Sequence, residues 1–189
     1  MKLNIPIPLN VGFVILSPEP NIGRLKSTIR SIDRNYGKLT DRICVVAKKT
    51  PPSILNEMKT VCPTIRGRDT ITSLINTGIK RGHKSWNIVV MEGVGVTPNL
   101  HTKYANFYLD DKDVFFPIVP DYDRNDLPVR LNNNFVTATL NGLCVHQETF
   151  KKVGDFSDEE SIDLTKLKWA INAQNYGCRF KAILGARIC

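Results

Sequence analysis

Glu92 and Gly93 close a run of six residues, Trp86 to Met91, that is apolar apart from Asn87. A carboxylate at the end of such a run is placed to accept hydrogen bonds from a ligand or to hold a hard cation. The glycine lets the backbone turn sharply and lets a ligand approach the main chain. The same residues also suit a solvated loop acid beside an ordinary turn, and both readings stand at this stage. Lys48 and Lys49 follow a second apolar run and are either phosphate-binding cations or exposed charges. Arg68 and Asp69, in Arg66-Gly67-Arg68-Asp69, are candidates for contacts to a base or ribose. Alternatively they are a solvated loop, with Asp69 near a helix start. Glu159, Glu160 and Asp163 form an acidic group ahead of the last helical pattern, where Asp163 also suits simple support of the first helical turn. His146 sits in a turn after a strand, either facing a cleft or in a structural or surface role. Trp169 reads as a core or rim residue.

These residues need a scaffold, and apolar periodicity supplies its outline. Val11 to Ser17, Arg42 to Ala47 and Trp86 to Met91 are short apolar runs, read as strands buried on both faces. Val61 to Ile65 is a weaker strand. Between them, Ile22, Leu25, Ile29 and Ile32 recur at helical spacing, as do Ile54, Leu55 and Met58, and Ile71, Leu74, Ile75 and Ile79. The alternation of strand and helix predicts an α/β fold with a mostly parallel central sheet and helices on both faces. Thr97-Pro98 opens a further helix bearing Leu100, Tyr104, Phe107 and Tyr108. Val114 to Val119 is extended, with Pro117 arguing for a sheet edge. Pro120 to Asn134 is polar, rich in Pro, Asp and Asn, and reads as a mobile loop. Phe135 to Leu140 and Gly142 to Val145 are strand pieces, and Glu148 to Val153 a short helix. Ser161 caps a last helix whose apolar positions are Leu164, Leu167, Ala170 and Ile171, stopped by Gly177.

A chain of 189 residues suits one domain, spanning 1–189, with a single core. The apolar share is 42% and the charged share 23%, both ordinary for a globular protein. The net charge of +8 favours anionic partners. The cations are scattered and no nucleic-acid motif is present, so nucleic acid is not an expected partner. Five cysteines, at 44, 62, 144, 178 and 189, show no C-x-x-C pair, and they read as free thiols that neither pair nor bind metal. No stretch approaches the roughly 20 apolar residues of a membrane helix. A cytoplasmic location, including that of a host cell, is expected.

Taken together, these segments resemble the family 2 glycosyltransferases, whose nucleotide-diphospho-sugar-binding domain has the GT-A fold. VGFVILSPEPNIGRLKSTIRSI is similar to the family's opening strand, loop and helix, and RICVVAKKT to its second strand. SLINTGIKRG resembles the helix after the third strand, with its Asn-x-Gly-Ile stretch. WNIVVMEGVGVTPNL resembles the strand carrying the D-x-D metal motif. NGLCVHQETFKKVGDF resembles the segment before the catalytic acid, and SIDLTKLKWAINAQNYGCRFKAI the closing helix and strand.

The resemblance implies transfer of a sugar from a nucleotide-diphosphate sugar to an acceptor hydroxyl. It implies nucleotide-sugar contacts from Pro18, Glu19, Lys48, Arg68, Asp69, Glu92 and Gly93, a divalent metal (Mn²⁺ or Mg²⁺) on Glu92, and catalytic positions at Glu160 and Asp163. The chain departs from the pattern at three points. Ala47-Lys48-Lys49 stands where the family places a uracil-binding aspartate, Glu92 is one acid where two belong, and Ser161 replaces the expected aspartate of the base pair. A serine hydroxyl is no base near neutral pH without activation. Two further functions therefore stay open beside the transferase. One is a catalytically inactive GT-A module that binds a nucleotide, a glycan or a protein. The other is a different nucleotide-handling enzyme such as a nucleotidyltransferase, ranked last because Ser17-Pro18-Glu19-Pro20-Asn21 is not a Gly-rich phosphate loop.

Overall fold

The structure, a computed structural model, describes residues 11–37, 40–96, 110–118, 120–122, 128–131, 140–158 and 161–184. Four strands alternate with three helices in the first half: β1 (Val11–Ser17), α1 (Ile22–Tyr36), β2 (Arg42–Val46), α2 (Pro52–Lys59), β3 (Thr64–Arg66), α3 (Ile71–Arg81) and β4 (Trp86–Met91). The second half holds β5 (Asp113–Ile118), β6 (Pro120–Tyr122), β7 (Pro128–Leu131), β8 (Cys144–His146), α4 (Gln147–Val153), α5 (Ile162–Asn175) and β9 (Arg179–Leu184). Seven strands form one sheet in the order β3-β2-β1-β4-β8-β5-β9. It is mixed: β8 runs antiparallel to both β4 and β5, and every other pairing is parallel.

Side-chain alternation along the strands sorts the core into two layers. Phe13 and Ile15 of β1, Cys44 and Val46 of β2, and Ile88 and Val90 of β4 face α1 and α2, meeting Leu25, Ile29, Ile32 and Met58. Val14, Leu16, Val45 and Val89 face the other way, toward Leu74, Ile75 and Ile79 of α3 and the aromatic side chains around α4 and α5. A two-residue period on the strands and a three-to-four-residue period on the helices are what this sandwich requires. Close approach of α3 depends on Gly78, where a Cβ would lie 2.1 Å from Val14 Cγ1.

Several sequence readings change here. Within Pro120 to Asn134, read as one loop, β6 and β7 pair antiparallel, Asp121 opposite Arg130. The rest of that stretch, the expected helix after Thr97 and most of the expected strand 135–140 lie outside the described residues. Pro117 does not mark an edge strand, because β5 lies inside the sheet between β8 and β9. It is accommodated because β5 pairs with β8 only at Val114 and Phe115, so among the described residues no strand pairs with that flank at Pro117.

Of the four apolar positions read onto α5, three are turned outward and Ala170 is buried. Leu164, Leu167 and Ile171 are 42–48% exposed, and the buried residues are Thr165, Lys166, Trp169, Ala170 and Ala173. The orientation is set by Trp169, whose ring stacks on Phe156 at 4.9 Å, lies near Phe150 and Phe180, and donates its Nε1–H to the Gly154 carbonyl at 2.9 Å. One indole buried among three rings outweighs three aliphatic side chains left half exposed.

Candidate functional site

The chain moves outward from β1 through β2 to β3, then crosses back to place β4 on the other side of β1. Open α/β sheets place their ligand crevices at such a reversal, beyond the carboxyl ends of the two strands. Ser17 ends β1 and Glu92 follows β4, so both stand at this crevice. The Glu92 amide donates to the Leu16 carbonyl at 2.9 Å, continuing the ladder one residue past the strand and fixing the side chain's direction.

The Glu92 carboxylate is almost fully engaged. Oε2 accepts a hydrogen bond from the Ser17 hydroxyl at 2.6 Å and from the Asn21 amide at 3.2 Å. Oε1 lies 3.2 Å from Arg24 Nη2, and the acid's side chain is 3% exposed. Burial raises its pKa above the ordinary carboxylate value, while the Ser17 and Asn21 hydrogen bonds and the Arg24 cation pull the other way. The solvated-loop reading of Glu92 is thereby corrected, since this acid is a buried anchor between β4 and the β1–α1 loop.

The surrounding segments are shaped to hold this arrangement. The Asn21 side chain caps α1 by accepting from the Arg24 amide at 3.0 Å. Arg24 Nη2 also donates to the Glu19 carbonyl at 3.0 Å. Gly93 has φ +85, and its amide donates to the buried Thr28 hydroxyl at 2.9 Å. A Cβ on Gly93 would come within 3.2 Å of Arg24 Cδ, so the arginine stem lies across the glycine. Pro18 is half-buried and Glu19 exposed on the same loop. Asn141, in the turn before β8, accepts from the Met91 amide at 3.0 Å and brings the second half of the chain to the same edge.

Lys48 and Lys49 are exposed after β2, one strand further along this edge. β2 itself lies two strand spacings, about 10 Å, from β4. Asp69 accepts from the Lys49 amide at 3.1 Å, so it ties the β2–α2 turn to the β3–α3 loop. Arg68 projects into solvent, 81% exposed, with Asp158 at 3.6 Å. Asp158 is held by the Thr70 and Thr72 hydroxyls at 2.9 and 2.7 Å. Arg68, Lys80, Asp155 and Asp158 border an open groove of about 340 Å³ beside α3, although Lys80 is paired with Asp155.

The remaining described candidates do not join this cluster. Asp163 is 73% exposed and pairs with Lys166 at 3.0 Å, one turn along α5. Ser161 caps that helix, accepting from the Leu164 amide at 3.4 Å. Glu159 and Glu160 lie outside the described residues. His146 is opposite Trp86, at the amino end of β4, and its ring packs edge-on against that indole at 5.2 Å. It is thus at the far edge of the sheet, which corrects the reading that puts it in the cleft.

A divalent ion does not fit here. Hard cations take several oxygen ligands. Here a single carboxylate has both oxygens engaged and a guanidinium beside it, and among the described residues no three His, Cys, Asp or Glu side chains gather. No step is derived through a metal. The sequence reading missed Ser17, Asn21 and Arg24. One signal for Arg24 was available, since a cation in the first turn of a helix opposes the helix dipole unless an anion holds it there.

Fold and site together define an α/β protein with a mixed seven-stranded sheet, whose strand order reverses between β1 and β4. Compared with known proteins, the chain matches no family model and no curated sequence. Among the described residues no helix is long and apolar enough to cross a membrane.

Proposed function

We propose that this chain is a glycosyltransferase-like protein of GT-A type. It binds a nucleotide-diphosphate sugar in the crevice beyond β1 and β4, for transfer to an acceptor hydroxyl. The observation that carries the reading is the meeting of Ser17, Glu92 and Gly93 at the carboxyl edge where the strand order reverses. Five of the six segments quoted for the family resemblance fall on elements of the matching type: strand and helix over 11–36, a strand at 42–46, a helix at 71–81, a strand at 86–91, and helix then strand over 162–184. In this reading Lys48 and Arg68 supply charge to the diphosphate and the β1–α1 loop contacts the nucleotide.

A second reading, a binding module without turnover, draws on two observations. Glu92 is buried and fully partnered, and Asp163 faces solvent. Fold alone does not choose between them. Calorimetric titration with UDP, GDP and a panel of their sugars tests the shared part, with saturable binding of one nucleotide series expected. Release of nucleotide from the bound donor, with and without sugar and peptide acceptors, then separates enzyme from module. Binding of neither UDP nor GDP would defeat both readings.

A further inference from the structure

We infer that the Arg24 guanidinium is the built-in cation that receives the diphosphate at this crevice, so that binding needs no divalent metal. The inference rests on the nucleotide-diphosphate reading above and adds to it the group that meets the charge.

Arg24 Nη2 donates one hydrogen bond to the Glu19 carbonyl and lies 3.2 Å from Glu92 Oε1 as an ion pair. An arginine has five N–H donors in a rigid fork. The donors on Nε and Nη1 have no protein partner among the described residues, and the side chain is 53% exposed. The opposite end of the pair is closed: Glu92 is 3% exposed, and its other oxygen is covered by Ser17 and Asn21. One buried carboxylate and one half-exposed guanidinium cancel in net charge. The negative end of this pair is sealed inside, while the guanidinium keeps an open edge of N–H donors beside the exposed Glu19.

A planar fork with free donors matches a phosphate oxygen pair. Gly93 leaves room for this position, because a Cβ there would lie 3.2 Å from Arg24 Cδ and crowd the arginine stem that crosses the turn after β4.

The test is UDP and GDP titration of the full chain in EDTA and in Mn²⁺, for the native protein and for Arg24→Gln and Arg24→Lys. The inference expects native affinity to differ by less than about threefold between EDTA and Mn²⁺. It expects at least a tenfold loss in Arg24→Gln, and partial retention in Arg24→Lys, which keeps the charge but loses the fork. If Arg24→Gln fails to fold because Glu92 is left unpaired, the double variant Arg24→Gln/Glu92→Gln replaces both members by amides and is read in the same way. Native binding that appears only with Mn²⁺ would overturn the inference and leave the nucleotide reading standing. So would unchanged affinity in a folded variant lacking the arginine. Absence of native binding in both conditions would instead defeat the nucleotide reading, and the inference with it.

Discussion

Ser17 and Glu92 are 75 residues apart and share one hydrogen bond of 2.6 Å. Removing the hydroxyl leaves a buried carboxylate short of a donor, so Ser17→Ala should cost about 1.5–3 kcal/mol, the scale for a hydrogen bond to a charged group. Denaturant midpoints at constant m-value would check it. The direction of the Glu92 pKa makes a second prediction. Its folded-state pKa is raised, so between the unfolded and folded values the native chain holds the proton that the unfolded chain releases. Stability therefore falls as pH rises through that window, and the fall ends once the folded group has ionised. Relative to Glu92→Gln, which has no such proton, the native protein should lose stability from about pH 4 upward. Parallel urea titrations of the two proteins should show that difference, and a difference that grew in the native protein's favour would oppose it. At this scale Glu92 was legible, because an acid and a glycine after an apolar run mark a strand's end. Its partners were not, because Ser17, Asn21 and Arg24 reach it only once β1 and β4 lie side by side.

The elements show where periodicity informs and where it misleads. The extents of α1, α3 and α5 follow from their caps: Asn21, Thr70 and Ser161 each accept from an amide of the first turn. The face of α5 does not follow, because Leu164, Leu167 and Ile171 imitate a buried stripe while an aromatic cluster fixes the rotation. Two substitutions separate the accounts. Leu167→Gln should change stability by less than about 0.5 kcal/mol, as for an exposed position. Trp169→Ala should cost about 3–5 kcal/mol, as for a buried ring. Thermal or chemical unfolding of both variants decides this, and a larger loss in Leu167→Gln would return the helix to the sequence-based orientation. Asn76 shows a similar limit. Its side chain pairs with both the N–H and the C=O of Phe156 and so fastens the turn before α5 to α3. Nothing local announces a contact across 80 residues.

At the scale of the molecule, three core strands could be placed from sequence as neighbours or near-neighbours, and the structure adds their order, with β1 between β2 and β4. The antiparallel insertion of β8 could not, because a three-residue strand carries no direction in its pattern. The two core layers also fix the thiols. Cys44, Cys62, Cys144 and Cys178 are free and buried. Burial pushes the Cys62 thiol up to about 11, and Cys44 and Cys144 well above the usual thiol value. These thiols should resist alkylation in the native protein at about pH 8 and react once it is unfolded, as mass spectrometry after iodoacetamide would show. Rapid native modification of Cys44 or Cys144 would contradict the layering.

The account's central claim is the location of the ligand crevice, and an NMR titration of the ¹⁵N-labelled chain with UDP and GDP tests it most directly. The amides of Ser17, Asn21, Arg24 and Gly93, with Lys48 at the neighbouring strand end, should shift together and saturate with one nucleotide. Shifts confined to the groove beside α3, around Ser73, Thr77 and Lys80, or no shifts with either nucleotide, would contradict it.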